Sequence, residues 1–333
     1  MKVAVIGAGS WGTALAQLLA GNGHAVALWA RRGDVVDGVN GARRNPRYLS
    51  DVALHEGIVA TTSHAVALEG AAAVVIVTPS SILRDVARAC APHLRADTPV
   101  VICSKGVEEG TGLLPAEVFA QEIGAPERIA VLSGPNHAEE VIKGVPTGTV
   151  IACPDGGTAR FFQELFASDA FRTYVSDDVA GVELCAAFKN VIAIAVGVSY
   201  GIGFGDNTAA MLMTRGLAEM SRLVVRAGGQ AITCMGLAGA GDLIATCTSE
   251  HSRNRRFGRE LAEGGTLEAF RERTHMVVEG ALACRTLRAL SERYEVELPI
   301  TDVVRSVVWD GHDPRDVAPV LIARPLTTEF YGL

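Results

Sequence analysis

Short apolar runs rich in β-branched residues alternate with helical patterns through the first half of the chain. The continuous runs are 3–7, 25–30, 74–78, 100–104 and 129–133, and the helical stretches between them are 10–22, 80–92 and 111–123. Strands that are apolar throughout are typical of a parallel sheet covered on both faces. Repeated strand–helix–strand units of this kind predict a doubly wound α/β domain.

The pattern changes to helices near residue 178. Two more strand-like runs, 147–152 and 172–176, flank the helical stretch 157–167 and are expected to complete the sheet. The later helical stretches are 178–200, 208–227, 253–263, 279–293 and 299–309. A chain of 333 residues exceeds one ordinary core. We therefore predict two domains, an α/β domain over 1–180 and an all-helical domain over 181–333.

A glycine hexapeptide follows the first apolar run and opens the first helix. It reads Gly7-Ala8-Gly9-Ser10-Trp11-Gly12. In this context Gly7 permits a tight turn, Gly9 lets the backbone approach a pyrophosphate, and Gly12 lets the helix pack closely on the strand. The helix N-terminus supplies free amides for the phosphates. The first domain is therefore predicted to be an α/β Rossmann-type domain that binds NAD(H) or NADP(H).

The end of the second strand indicates which dinucleotide is bound. NAD-specific sites place an acidic residue about 20 positions beyond the glycines. Here that place holds Arg31 and Arg32, and arginine binds a 2′-phosphate well. We expect NADPH to be accepted, while the nearby Asp34 leaves NADH use open.

Charge and cysteine content exclude several classes of protein. A net charge of −7 argues against a nucleic-acid surface, which needs a clustered basic excess. The seven cysteines are scattered without a Cys-x-x-Cys pair, and the histidines show no metal-ligand spacing, so we expect reduced thiols and no metal. The longest apolar run, 179–200, contains Glu183 and Lys189 and falls short of a clean membrane span. We expect a cytoplasmic protein with no membrane segment.

Lys189 stands alone in an otherwise apolar helical stretch, ELCAAFKNVIAIAVG. A buried lysine needs a partner or a chemical role. Burial beside a second lysine would lower its pKa toward working pH, which suits proton exchange. The alternative is a structural lysine paired with an acid such as Asp242 or Glu183.

Three other stretches lie where ligands are expected. Lys105 and Gly134 follow strands of the predicted sheet, and ligands of open sheets bind at the carboxyl ends of strands. Ser252-Arg253-Asn254 lies at the start of a predicted helix, which suits an anion.

The chain closely resembles the bacterial NAD(P)-dependent glycerol-3-phosphate dehydrogenases. The motifs that carry the resemblance are GAGSWGTALA, LWARR, NPRYLSDVAL, VVIVTPS, SKGVE, SGPNHAEE, ELCAAFKNVIAIAVG, GAGDLIATCTSEHSRNRRFG and VVEG. The resemblance implies reversible reduction of dihydroxyacetone phosphate to sn-glycerol 3-phosphate by NAD(P)H, which supplies phospholipid synthesis. It also implies a phosphorylated small-molecule substrate and a homodimer, with the helical domain 181–333 as the substrate and dimerisation domain.

The resemblance further implies a role for each matching residue. Lys189 is similar to the general acid/base, and Lys105 to a lysine that contacts substrate and cofactor and polarises the site. The other implied substrate-binding residues are Gly134, Asn136, Asn190, Asp242, Thr246, Ser252, Arg253 and Asn254. The implied cofactor-binding residues, besides Gly7, Gly9, Gly12 and Lys105, are Ser10, Trp11, Arg31, Arg32, Tyr48, Ala138, Arg253, Val277 and Glu279. Asn136-His137 departs from the Ser/Thr-Phe pair that is commoner in the family, and this puts the side-chain contact at 136 in question.

Two other functions remain open on the residues alone. An enzyme of the same two-domain plan that acts on a 3-hydroxy acid or a sugar acid would also use a Rossmann-type domain and a lysine. It would need an arginine aimed at a carboxylate, whereas a helix start with Arg253 and Asn254 suits a phosphate better. The second open function is that of a dinucleotide sensor without catalytic activity, because fold does not dictate function.

Overall fold

The computed structural model describes residues 1–274, 277–322 and 328–329. Its internal contacts divide the chain into two compact units. The first unit comprises Met1–Ser104 and Pro115–Val179, and the second comprises Lys105–Leu114 and Ala180–Leu333. The division after Val179 lies beside the predicted boundary at 180, whereas the transfer of Lys105–Leu114 to the second unit has no counterpart in the sequence pattern.

Within the described residues, eight strands of the first unit form one sheet in the order β3-β2-β1-β4-β5-β6-β7-β8. They are β1 Lys2–Ile6, β2 Ala25–Trp29, β3 Ile58–Thr61, β4 Ala73–Ile76, β5 Val100–Ile102, β6 Ile129–Ser133, β7 Thr147–Ala152 and β8 Phe171–Ser176. All neighbours are parallel except β6 and β7. The exception follows from the connection, because a parallel crossover needs a substantial helix and only a four-residue helix lies between these two strands.

Helices of the first unit connect these strands. They are α1 Ser10–Gly21, α2 Gly33–Ala42, α3 His64–Leu68, α4 Leu83–Cys90, α5 Pro115–Ile123, α6 Ala138–Val141 and α7 Gly156–Phe166. The predicted helix 80–92 is shorter than expected, since 3₁₀ turns occupy 80–82 and 91–93. Pro92 lies in the second turn and has no N–H with which to extend α4. Leu15 and Leu19 of α1 join Val3 and Val5 of β1 in the core of this unit.

The second unit is helical. Its helices are α8 Val179–Gly201, α9 Asp206–Arg226, α10 Asp242–Thr248, α11 Arg253–Ala262, α12 Leu267–Thr274, α13 Glu279–Tyr294, α14 Pro299–Trp309 and α15 Pro314–Ile322. A 3₁₀ turn at 231–235 and a π-helical turn at 237–241 precede α10. The sequence pattern did not predict α10, α12 and α15, which are short.

Helix α8 runs through the core of the second unit. It is long and apolar enough to cross a membrane, but 89% of its most apolar 18-residue window is buried inside the protein. Glycines bring α11 against it at backbone distance. A Cβ at Gly258 would lie 2.2 Å from the Ile194 carbonyl oxygen, and one at Gly197 would lie 2.1 Å from that of Arg255. This close contact fixes the N-terminal half of α11 against the helix that carries Lys189.

The segment Lys105–Leu114 belongs to the second unit although it directly follows β5 in the chain. Val107 and Leu114 are buried in the core of the helical unit. The Glu109 carboxylate forms a 2.7 Å ion pair with Arg285 of α13. The unit that carries Lys189 therefore also carries Lys105.

Candidate active site

The glycine turn after β1 has the geometry of a pyrophosphate cradle. Gly7 has φ +122°, and a Cβ there would lie 2.5 Å from the Val77 carbonyl oxygen. A Cβ at Gly12 would lie 1.8 Å from the Gly7 carbonyl oxygen, so only glycine lets α1 begin this close to the strand. A Cβ at Gly9, by contrast, would meet no described atom within 4 Å. The backbone at Gly9 is therefore open to a ligand, as the sequence predicts.

The N-terminus of α1 provides the donors for a dinucleotide phosphate. Its N-cap, Gly9, has no side chain with which to cap the first amides, and Thr13 is the first residue whose amide bonds back to Gly9. Ser10 and Trp11, both half-buried, lie in this first turn. The cradle and the uncapped amides fit the phosphates of NAD(P).

Two arginines follow β2, at the place that selects between the two cofactors. Arg31 and Arg32 are both exposed, and Arg32 is the N-cap of α2. Among the described residues neither side chain has a hydrogen-bond partner. Tyr48 is 44% exposed, and its backbone amide bonds to the side chain of Asn45. These three predicted cofactor residues thus present accessible side chains.

The loop after β6 is fastened to β7. The Asn136 amide donates to the Gly148 carbonyl oxygen at 3.0 Å and accepts from the Thr149 hydroxyl at 2.9 Å. A Cβ at Gly134 would lie 2.9 Å from that same carbonyl oxygen. Ala138, the first residue of α6, is buried. Both ends of the Asn136 amide therefore bind protein, although the resemblance implies a contact with substrate.

A buried carboxylate between two lysines forms the centre of the helical unit's polar cluster. Asp242 Oδ1 lies 2.5 Å from Lys189 Nζ, and Oδ2 lies 2.6 Å from Lys105 Nζ. Lys189 also donates to the Thr246 hydroxyl at 2.9 Å. The side chains of Lys189 and Asp242 are 9% and 3% exposed. Four predicted site residues thus lie in contact in one cluster. The ion pair between Lys189 and Asp242, which was predicted from the sequence as the structural alternative to a chemical role, is also present.

Burial and the neighbouring charges shift the pKa values of the three charged residues of this cluster in different directions. Burial lowers the pKa of Lys189 to about 8; Asp242 acts against this shift and the charge of Lys105 adds to it. Burial acts in the same direction on Lys105, but the attraction and hydrogen bond of Asp242 raise its pKa above the usual value. The two ammonium groups hold the pKa of Asp242 below its usual value despite burial. Of the two lysines, Lys189 is therefore the one whose pKa lies closer to neutral pH.

The π-helical turn 237–241 places Asp242 at the start of α10. A Cβ at Gly239 would lie 2.2 Å from the Cys234 carbonyl oxygen, so the turn packs directly on the preceding backbone. Thr246 lies one turn further along α10, on the same face as Asp242. Within the stretch GAGDLIAT, this geometry places the Asp242 carboxylate and the Thr246 hydroxyl against the Lys189 ammonium.

The residues of the predicted anion site lie at the start of α11. Ser252 is its N-cap, and the Ser252 hydroxyl accepts from the Arg255 amide at 3.2 Å. Arg253 is exposed in the first turn and, among the described residues, makes no bond to the lysines. Asn254 is buried, and its Oδ1 accepts from the Gly280 amide at 3.0 Å. A charged guanidinium at a helix N-terminus suits a phosphate.

Asn190 joins this helix start to the N-terminus of α13. Its Oδ1 accepts from the Asn254 amide at 2.8 Å, and its Nδ2 donates to Glu279 at 3.4 Å. Glu279 is the first residue of α13, and the preceding Val277 is 46% exposed. The structure therefore connects three of the predicted site residues through side-chain amides.

Several residues of these sites were missed from the sequence. Asn45 is fully buried, and its side chain bonds to the glycine turn at Ala8. Cys185 and Cys234 are both buried, and their sulfur atoms lie 3.7 Å apart. The Asn-Pro pair at 45–46 signals a turn but not its partner, and the spacing of the cysteines signals nothing. In the described part of the chain, no group of three or more His, Cys, Asp or Glu residues is arranged to hold a metal.

Comparisons with known proteins find matches for both parts of the chain. Residues 2–159 match the family model of the NAD-dependent glycerol-3-phosphate dehydrogenase N-terminus, and residues 178–319 match that of the C-terminus. The chain is 47% identical over 326 residues to a glycerol-3-phosphate dehydrogenase [NAD(P)+] of Corynebacterium urealyticum, covering 97% of this chain and 98% of that one. It is 48% identical to the protein of the same name from Nitratidesulfovibrio vulgaris strain DP4, covering 99% and 100%.

A solved structure shows the same fold along nearly the whole chain. The glycerol-3-phosphate dehydrogenase of Coxiella burnetii superposes with a TM-score of 0.92 at 38% identity, covering 97% of this chain and 99% of that one. The two family models together match both parts of the chain, and the two relatives and this structure each cover 97% or more of it. The chain belongs to the NAD-dependent glycerol-3-phosphate dehydrogenase family.

Proposed function

We propose that the chain catalyses the reversible reduction of dihydroxyacetone phosphate to sn-glycerol 3-phosphate with NAD(P)H, and so supplies glycerophospholipid synthesis. The observation that carries this proposal is the buried Lys189, whose ammonium is held 2.5 Å from Asp242 and whose pKa is lowered to about 8. A pKa near working pH lets one group donate a proton in reduction and accept it in oxidation.

Each residue of the cluster has a separate task in this reaction. When bound, the dihydronicotinamide supplies the hydride that reduces the ketone carbon. Lys189 Nζ donates the proton that the ketone oxygen needs as negative charge builds on it. Asp242 and the Thr246 hydroxyl hold that ammonium in one orientation. Lys105, whose pKa is raised, remains charged and stabilises the developing negative charge.

The start of α11 is the proposed phosphate site. Arg253 supplies an exposed guanidinium, and Ser252 is the N-cap of the helix, whose first-turn amides would add donors for a phosphate. A bidentate arginine and helix amides suit a phosphate dianion. Under the alternative of a hydroxy-acid substrate, the same arginine would bind a carboxylate.

An assay that compares substrates tests the proposal. Purified enzyme is given NADPH with dihydroxyacetone phosphate, and in parallel with 3-keto acids and sugar acids, while NADPH oxidation is followed. We expect turnover with the triose phosphate only, and a preference for an acid would contradict the proposal. NADPH binding without turnover of any substrate would favour the dinucleotide sensor.

The role of Lys189 is tested by Lys189→Ala. We expect kcat to fall by about 10²–10⁴-fold, the usual contribution of a general acid. NADPH binding should persist. Lys143→Ala is the matched control, because Lys143 is exposed and lies outside the cluster. Full turnover by Lys189→Ala would contradict the mechanism.

We further propose that the enzyme is a cytoplasmic homodimer. Large apolar side chains are exposed on the helical unit, with Ile232 at 71%, Met235 at 68% and Ile244 at 52%. Exposed apolar side chains that cluster in sequence suit an interface with a second copy. Light scattering coupled to size-exclusion chromatography tests the state, and a monomer mass at micromolar concentration would contradict it.

A further inference from the structure

A buried asparagine fastens the loop after α2 to the glycine turn. Asn45 is fully buried, and its Nδ2 donates to the Ala8 carbonyl oxygen at 3.0 Å and to the Thr13 hydroxyl at 2.9 Å. Its Oδ1 accepts from the backbone amides of Arg47 and Tyr48 at 3.1 and 3.2 Å. One side chain therefore satisfies four polar groups, and it ties the residues that follow to the pyrophosphate cradle.

The loop held in this way places Arg47 at the start of α2. Arg47 Nε lies 2.6 Å from Asp34 Oδ2, and the two side chains are 43% and 48% exposed. Asp34 is in the first turn of α2, two residues after Arg32. Among the described residues, the terminal nitrogens of Arg47 make no hydrogen bond. The guanidinium thus neutralises Asp34 with one edge and keeps its other donors accessible.

The charge of Asp34 decides how this region treats the two cofactors. A carboxylate near the end of the second strand accepts hydrogen bonds from a ribose 2′-hydroxyl and so favours NADH. The same carboxylate repels the 2′-phosphate of NADPH. An arginine that forms an ion pair with the carboxylate weakens both the hydrogen bonding to the ribose and the repulsion of the phosphate. Its remaining N–H groups add donors for a phosphate.

We propose that Arg47, presented by Asn45 and paired with Asp34, is a specificity-determining residue that makes the site favour the 2′-phosphate of NADPH. The proposal rests on NAD(P) use by the proposed enzyme and adds a cofactor preference to it. Arg31 and Arg32 supply positive charge at the same helix start, and Arg47 offsets the Asp34 carboxylate in the first turn, which would oppose them.

Binding of cofactors and fragments tests the proposal without any turnover. Dissociation constants for NADPH, NADH, 2′,5′-ADP and 5′-AMP are measured by calorimetry on wild type, Arg47→Gln and the double variant Arg47→Gln/Asp34→Asn. Arg44→Gln is the matched control, because Arg44 is an exposed arginine of the same loop whose guanidinium bonds to the Ser50 carbonyl oxygen instead. All of these changes are on exposed side chains, so the variants should fold.

We expect Arg47→Gln to weaken NADPH and 2′,5′-ADP binding at least tenfold and to change NADH and 5′-AMP binding less than twofold. The double variant should recover at least threefold of the lost NADPH affinity, since the repelling carboxylate is gone. A change below fivefold in the NADPH-to-NADH ratio, an equal loss in Arg44→Gln, or no recovery in the double variant would overturn the proposal. Because no substrate is present, these outcomes are independent of whether dihydroxyacetone phosphate is turned over.

Discussion

Asn254 of α11 donates a 2.8 Å hydrogen bond to the side-chain oxygen of Asn190 in α8. Both amides are buried, and Asn190 directly follows Lys189 in the chain. The same Asn254 side chain accepts from the Gly280 amide at the start of α13. One amide therefore fixes the helix start of the proposed phosphate site to the helix that carries the proposed acid.

Replacement of Asn254 by alanine should cost both stability and activity. The Gly280 amide and the Asn190 oxygen would be left buried without partners, at about 1–3 kcal/mol each. We expect a lower free energy of unfolding and a fall in kcat/KM for dihydroxyacetone phosphate of at least tenfold. Asn40→Ala is the control, since it also breaks two hydrogen bonds, both to Ala60 in the first unit. An equal loss of kcat/KM in the control would contradict a specific role for Asn254.

The lowered pKa of Lys189 should appear in the pH profile. Reduction requires the ammonium form, so kcat/KM for dihydroxyacetone phosphate should fall as pH rises through about 8, and the oxidation rate should rise over the same range. Measurements between pH 7 and 10 avoid the ionisation of the substrate phosphate, whose pKa is about 6. Asp242→Asn removes an attraction that raises the pKa of Lys189, so in this variant the fall in kcat/KM should occur at lower pH. A fall at the same pH as in wild type would contradict the assignment of this pKa to Lys189.

Glu219 should make the protein less stable as pH rises. Its carboxyl group accepts from the Ile300 amide at the start of α14, and burial raises its pKa from 4.5 to about 8. Between these values the unfolded chain ionises while the folded chain keeps the proton, so rising pH favours unfolding. Relative to Glu219→Gln, wild type should lose roughly 1.4 kcal/mol of unfolding free energy per pH unit in this window. Chemical denaturation at pH 5, 6, 7 and 8 measures the difference, and parallel profiles would refute the prediction.

Asn136 and Thr149 should behave as one unit. If the Asn136 amide fastens the loop to β7, Asn136→Ala and Thr149→Val should lower the melting temperature by similar amounts. Their double variant should lose less than the sum of the two, because each single change already breaks the shared 2.9 Å bond. KM for dihydroxyacetone phosphate should change less than twofold. Additive losses of stability, or a rise in KM confined to Asn136→Ala, would favour the substrate contact that the family resemblance implies.

The sequence predicted features whose geometry is local. The turn from Gly7 to Gly12 depends largely on contacts within one strand–helix unit, so its close packing can be predicted from the spacing of the glycines. The burial of Lys189 likewise follows from its neighbours on α8. Its partner could not be identified with certainty, because Asp242 lies 53 residues away and only the π-helical turn brings it to the lysine.

The features that were missed have weak or misleading local patterns. β3 is a short edge strand in which Val59 is 61% exposed, so it lacks the fully apolar run of the central strands. Asn45 is a single polar residue in a turn, and its burial depends on contacts with α1 that sequence does not encode locally. The ligand contacts that the resemblance implies for Asn136 and Asn254 stay predictions, and the hydrogen bonds that their amides make within the protein were not foreseen.

The path of Lys105–Leu114 limits how the protein could be divided or recombined with its relatives. A fragment that begins at residue 180 would lack Val107 and Leu114, which complete its core, and would leave Asp242 with one counter-ion in place of two. A chimaera with a junction near residue 180 would pair one parent's Lys105 loop with the other parent's helices. Compatible exchange therefore requires the loop and the helical unit to be inherited together.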